Sequence, residues 1–337
     1  MAAALAELGF QREDPGPGTA QSVPVGGRRH RVTTSRPAMG TLVSITAIHH
    51  SRDLAEDAAG RAFGEMDRVV ALLSRYEPAS ALSVLNAEGA LRDPPPELRV
   101  VVSGALRFHT VSRGSFDPTV RPLVDLFRQR AASPPDHELF QALGLVDARK
   151  VELRRRTIRF ARPGMGITLD GIAKGHVVDR MAEVLAEQGL KDFLIDAGGD
   201  IRSAGRREDG GPWRVAVQDP AKGGDFPDVL ALADGAVATS GSYEIYFDRD
   251  RTRHHIVSGR TGVSPHGSRS VSVTAPTAME ADALATAVFV MGPLAGIALV
   301  DSLSQCACLV IDHLGRTLPS ARWRSAKDSF TSKSGTP

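Results

Sequence analysis

The stretch from Thr277 to Val290 restricts the fold more than any other part of the chain. Thr277 followed three residues later by Glu280 is a capping box, the signature of a helix start. Beyond it, Ala281-Asp282-Ala283-Leu284-Ala285-Thr286 is small or apolar apart from two residues. A helix with so little polar surface is largely buried, so other layers must cover it. Asp282 and Thr286 are four apart and point to the same side. A buried carboxylate needs a partner, which can be an arginine, backbone amides or a hard cation. Carboxylate plus hydroxyl suits Mg²⁺, which keeps waters and shares substrate phosphates. A structural acid satisfied by protein groups is the alternative.

The covering layers are legible as periodicity. Val43, Ile45 and Ala47 alternate as in a strand, and Phe193–Asp196, Trp213–Val217, Ser270–Ala275 and Ala307–Ile311 also read as strands. Leu54–Ser74, Glu97–Val111 and Gly171–Gln188 carry apolar residues at helical spacing, the last with Gly189 just past its end. Strands and helices alternate without a regular βαβ rhythm, so the expected class is α+β. Neither a repeat nor a convincing linker divides the chain. One domain is expected over residues 35–324. The Gly- and Pro-rich segment 1–34 and the tail 325–337 read as disordered.

Composition excludes several classes. The 41 basic and 39 acidic residues leave a formal charge of +2, no basis for a nucleic-acid surface. Arg154-Arg155-Arg156 reads as a solvated strand face or turn. Cys306 and Cys308 sit at an apolar run and read as packing residues, too few for a zinc site. No stretch approaches the roughly 20 apolar residues of a membrane helix. Met1–Phe10 lacks a basic start and contains Glu7, so no secretory signal is read and a cytoplasmic location is expected.

Three further stretches carry chemistry. Thr168-Leu169-Asp170-Gly171-Ile172-Ala173-Lys174-Gly175 joins an apolar segment to a helix start, where unpaired amides and the dipole favour an anion. Lys174 in that first turn opposes the dipole unless a phosphate sits between, or else it points to water. Asp196-Ala197-Gly198-Gly199-Asp200 follows a strand and allows a sharp turn or close approach to a ligand. It is not a dinucleotide fingerprint. His254-His255-Ile256-Val257, then Gly259-Arg260-Thr261-Gly262, can supply a general base, although such a histidine can equally be a packing residue. No nucleophile elbow or Walker loop is present.

Taken in order, these stretches resemble the ApbE family of FAD:protein FMN transferases. The resemblance runs from about Arg36 to about Leu309. It includes Ala38-Met39-Gly40-Thr41, Ser74-Arg75-Tyr76, Leu85-Asn86, Phe116-Asp117-Pro118-Thr119 and Gly171-Ile172-Ala173-Lys174-Gly175. It continues through Ala197-Gly198-Gly199-Asp200, Ala238-Thr239-Ser240-Gly241, His255-Ile256 and Ala281-Asp282 with Ala285-Thr286. It implies a two-lobed α+β fold with mixed β-sheets flanked by helices and a central flavin cleft. It also implies Mg²⁺-dependent transfer of FMN from FAD to a serine or threonine of an acceptor protein of a redox complex. By the same resemblance, Met39, Tyr76, Ser115, Phe116, Asp117, Lys174 and Ile256 match flavin-contacting positions. Thr168 stands where many members have a flavin-facing carboxylate, and Asp200 can orient a ribose, a ring or the metal shell. The Gly171 carbonyl, Asp282 and Thr286 match Mg²⁺ ligands, and His255 matches the base. Ser258-Gly259 replaces the common Asp-Pro. Hydrolysis of FAD to FMN and AMP, or flavin binding without chemistry, are the competing functions.

Overall fold

The alternation at Val43, Ile45 and Ala47 is the inward row of a strand, with all three side chains buried. The computed structural model containing it describes residues 20–130, 134–221, 226–243, 246–250 and 252–327. Nine strands form the main sheet: β1 (Ala20–Val25), β2 (Arg29–Ala38), β3 (Thr41–His49), β4 (Asp192–Ala197), β5 (Ile201–Ala204), β6 (Gly235–Gly241), β7 (Ser268–Ala275), β8 (Ala307–Asp312) and β9 (Thr317–Pro319). They lie side by side in chain order. The direction of the strands, left as mixed by the sequence, is antiparallel at every pairing among the described residues. Short turns close four of the eight neighbouring pairs into hairpins (β1–β2, β2–β3, β4–β5 and β8–β9), and longer excursions join the rest.

The helices fill the long excursions. Between β3 and β4 come α1 (Arg52–Leu73), α2 (Ala81–Glu88), α3 (Pro96–Val111), α4 (Arg121–Arg130), α5 (Asp136–Leu143) and α6 (Ala173–Glu187). α7 (Ala278–Met291) and α8 (Pro293–Asp301) lie between β7 and β8. The Thr277 cap is present: its side chain accepts the Glu280 amide at 3.2 Å. α7 packs on β6 and β7 and against α6 and α8. That enclosure is what its nearly unbroken apolar sequence required. One face of the sheet, with α1, α3, α6 and α7, forms the main core. The hairpin of Trp213–Ala216 and Val229–Leu232 covers Ile201, Val237 and Leu309 on the other face. α4 and α5 build a separate small core around Phe127, with Val257 in it.

Two expectations at the termini are corrected. Residues 20–34, read as disordered, form β1 and most of β2 at one sheet edge, fixed by an ion pair of Arg31 with Glu208 at 2.8 Å. The glycines there are a hairpin turn, with positive φ at Gly27 and Arg28, and Pro24 sits in the edge strand, where a missing donor is tolerated. At the other end, Ser325 to Lys327 are not a loose tail. The Ser325 hydroxyl donates to buried Asp228, as does Trp323 Nε1 at 2.7 Å, and the Ala326 amide donates to the Val229 carbonyl. Residues 1–19 and 328–337 lie outside the described residues. As expected, Arg154 to Arg156 are exposed and Cys306 and Cys308 are buried, unbridged thiols.

His176 on α6 is buried where Arg180, Glu97 and Glu65 face it, and no hydrogen-bond partner reaches its Nε2 among the described residues. Burial, with Arg180 adding to it, lowers its pKa from 6.5 to about 4. The folded state therefore resists a proton that the unfolded chain accepts, so this contribution to stability holds above pH 6.5 and is lost as pH falls toward 4. His176→Leu is expected to make the fall of unfolding free energy with pH shallower, by up to about 1.4 kcal/mol per pH unit in that window. Urea unfolding of both proteins across the window measures it, and identical slopes would refute the assignment.

Candidate functional site

α6 and α7 approach until their backbones touch. A Cβ placed on Gly175 would lie 2.3 Å from the Ala278 carbonyl oxygen, so only glycine permits this contact. Across it, the Gly175 amide donates to Asp282 Oδ2 at 3.1 Å. One turn further along α7, Thr286 lies against Gly171, where an added Cβ would meet Thr286 Oγ1 at 2.7 Å. Ser240 at the end of β6 contacts the same hydroxyl at 3.2 Å. The three residues matched to a cation site are thus brought together by the α6–α7 contact.

The charge at this contact is unbalanced. Asp282 is 6% exposed, and burial raises its carboxyl well above the usual range. The Asp200 carboxylate beside it raises it further, while Lys174 and the Gly175 amide work the other way. Asp200 is also buried and arrives from the Gly198–Gly199 turn between β4 and β5, both glycines having positive φ. Lys174 Nζ lies 3.6 Å from Asp200 Oδ1 and 3.4 Å from the Gly198 carbonyl. The lysine at this helix start is therefore matched in part by a carboxylate. Two touching buried carboxylates against one ammonium leave negative charge that a hard cation offsets. Among the described residues no group of three or more His, Cys, Asp or Glu gathers into a metal nest. The oxygen set on offer is carboxylate, hydroxyl and backbone carbonyl, which suits Mg²⁺ and not zinc.

A solvent-open cleft starts from this point. Its walls include ten of the residues singled out by sequence: Ser115, Phe116, Asp117, Thr168, Gly171, Lys174, His255, Ile256, Asp282 and Thr286. Asp117 is fixed in place, with Oδ1 accepting the Thr119 amide at 2.8 Å and its hydroxyl at 2.5 Å. Its Oδ2 lies 3.4 Å from His109 Nε2. Gly259, in the departure from the family pattern, brings its loop close over Asp117: an added Cβ would stand 3.2 Å from the Asp117 Cβ.

The two histidines separate cleanly. His254 is 1% exposed, its Nε2 lies 3.0 Å from the Pro265 carbonyl, and its ring meets Phe289 of α7 edge-on. Burial lowers its pKa to about 4. Its amide donates to Ser264 Oγ, which in turn donates to the His254 carbonyl. His254 is thus the packing histidine, and His255 beside it faces the cleft.

Met39, Tyr76 and Asp200 are not part of this wall. Met39 holds a positive φ at the β2–β3 turn. Tyr76 is 67% exposed, with its hydroxyl accepting from Arg128 at 2.6 Å. Asp200 stands behind Lys174. Conversely, Arg75, which the sequence marks only as part of the Ser74-Arg75-Tyr76 motif, holds the cleft turn with a buried guanidinium. It donates to Asp170 Oδ2 at 3.1 Å, to Thr168 Oγ1 at 3.5 Å, and to Asp125. Asp170, Thr239, Ser240 and Gly241 also reach the cleft. Their motifs were visible in the sequence, but what they face was not.

The model of the ApbE family matches residues 39–310. A FAD:protein FMN transferase of Vibrio cholerae is 32% identical over 297 residues, covering 83% of this chain and 87% of the relative. That of Treponema pallidum is 34% identical over 296 residues, covering 79% and 81%. Among solved structures, the flavin transferase ApbE from Vibrio cholerae superposes with a TM-score of 0.74 at 27% identity, covering 90% of this chain and 98% of that one. The ApbE protein of Thermotoga maritima gives 0.78 at 28% identity, covering 90% and 97%. The family match spans every cleft-lining residue, and the chain is accordingly a member of the ApbE family.

Proposed function

We propose that this chain moves FMN from FAD onto a serine or threonine hydroxyl of an acceptor protein belonging to a redox complex, releasing AMP. The observation that carries the reading is a single cleft joining three things: a helix start carrying Lys174, the oxygen-bearing side chains of Asp282 and Thr286, and the side chain of His255. Asp282, Thr286 and the Gly171 carbonyl would hold Mg²⁺, which when bound supplies charge neutralisation to a pyrophosphate. Lys174 and the α6 amides add positive potential for the same group. Phe116 and Ile256 offer apolar wall to a flavin ring, and Asp117 offers an oriented acceptor. Arg75 keeps the Thr168–Gly171 turn in register by holding Asp170 and Thr168.

In the reaction, the acceptor oxygen forms a bond to the FMN phosphorus, the pyrophosphate P–O bond breaks, and AMP departs. The proton of the acceptor hydroxyl passes to His255. Mass spectrometry of a candidate acceptor after incubation with enzyme, FAD and Mg²⁺ tests this. A gain equal to FMN on one hydroxyl side chain is expected. Free FMN and AMP with an unlabelled acceptor would mean a hydrolase, and intact FAD would mean a binding protein.

A further inference from the structure

The helices that carry the cation pocket cap each other. The Ala278 and Met279 amides, first in α7, have no carbonyl one turn back to receive them. They donate instead to Asp179 of α6, one to each carboxylate oxygen, at 2.8 and 2.9 Å. Reciprocally, Asp282 of α7 accepts the Gly175 amide in the first turn of α6. Arg202 of β5 completes the bridge, with its Nε 3.8 Å from Asp179 and a second nitrogen donating to the Pro276 carbonyl.

This is more than helix initiation needs, because Thr277 already provides the local cap. A carboxylate reaching over from the neighbouring helix does something a local cap cannot: it fixes the rotation and height of α7 relative to α6. Asp282 and Thr286 lie about 6 and 12 Å along the helix from Ala278, at 1.5 Å per residue, on the same rigid rod. Gly171, the third member of the pocket, belongs to the α6 side. Any slip at the cap therefore changes the separation of the donors, and Mg²⁺ demands near-ideal octahedral geometry.

We infer that Asp179 is a positioning residue for the cation pocket: touching neither cation nor flavin, it sets where Asp282 and Thr286 stand opposite Gly171. The inference rests on the Mg²⁺ reading given above, and the experiment separates the two. Mn²⁺ serves as the probe, its binding to the FAD-loaded protein counted by electron paramagnetic resonance and by calorimetry. Asp179→Asn keeps the shape but loses the charge and one acceptor. Its dissociation constant for Mn²⁺ is expected to rise about tenfold or more, the usual scale for groups that orient metal ligands. Its affinity for FAD without metal stays at the wild-type value.

Thr277→Ala removes only the local cap, so it lowers the melting temperature and leaves Mn²⁺ affinity unchanged. Should Asp179→Asn fail to fold, Arg202→Met loosens the same bridge from its other side and is expected to raise the constant in the same direction. Wild-type Mn²⁺ affinity in Asp179→Asn (or in Arg202→Met, if only that variant folds) overturns the positioning role alone. An equal loss in Thr277→Ala overturns it too, by reducing it to helix fraying. A wild-type protein that takes up no Mn²⁺ with FAD bound overturns the cation reading, and this inference with it.

Discussion

Replacing His255 with alanine is expected to leave FAD binding intact and to slow FMN transfer by about 10²–10⁴-fold, the range that general-base assistance contributes. The two effects separate because the histidine pair divides its work. His254 carries the packing and the Ser264 and Pro265 hydrogen bonds that hold the segment, whereas the His255 side chain faces the cleft. Truncating His255 therefore removes a proton acceptor without dismantling the loop. Fluorescence titration with FAD and single-turnover transfer to an acceptor measure the two quantities. A variant that transfers FMN at the wild-type rate would remove His255 from the reaction.

Asp282→Asn is expected to cut Mg²⁺-dependent turnover steeply while leaving the metal-free protein at least as stable as the wild type. Loss of a bound cation's charge stabilisation is worth several kcal/mol, so a fall of about 10³-fold is anticipated. The stability has the opposite sign for a local reason. The asparagine oxygen still accepts the Gly175 amide, while the repulsion between Asp282 and Asp200 disappears along with a buried charge. Melting curves with and without Mg²⁺ read both effects: the wild type is stabilised by the ion and the variant is not. An Mg²⁺ titration of activity that matches wild type would dismiss Asp282 as a ligand.

Much of the architecture follows from local pattern. The strands around Val43 and Phe193 and the helices α1, α3, α6 and α7 declare themselves by period, and Thr277 with Glu280 marks the start of α7 to the residue. The glycine- and proline-rich start was misleading because those residues mark tight turns and edge strands as readily as they mark disorder. β1 and most of β2 are held by cross-strand bonds and by Glu208, some 177 positions away, which no local signal reports.

Asp282 with Thr286 shows where sequence stops. Spacing alone puts both on one side of a helix, and the apolar run around them says that side is buried. Whether the partner is a cation, an arginine or an amide is undecidable from spacing, because the answer lies on α6, roughly a hundred residues earlier. The sequence by itself determined the α+β class, the buried helix and the order of the motifs, because hydrophobic period and capping act over a few residues. Only the tertiary structure decided that Asp200 and Asp282 stand side by side, that His255 and not His254 faces the cleft, and that Asp179 holds α7 to α6. Those are long-range contacts, and they arise only when packing brings distant segments within hydrogen-bonding reach.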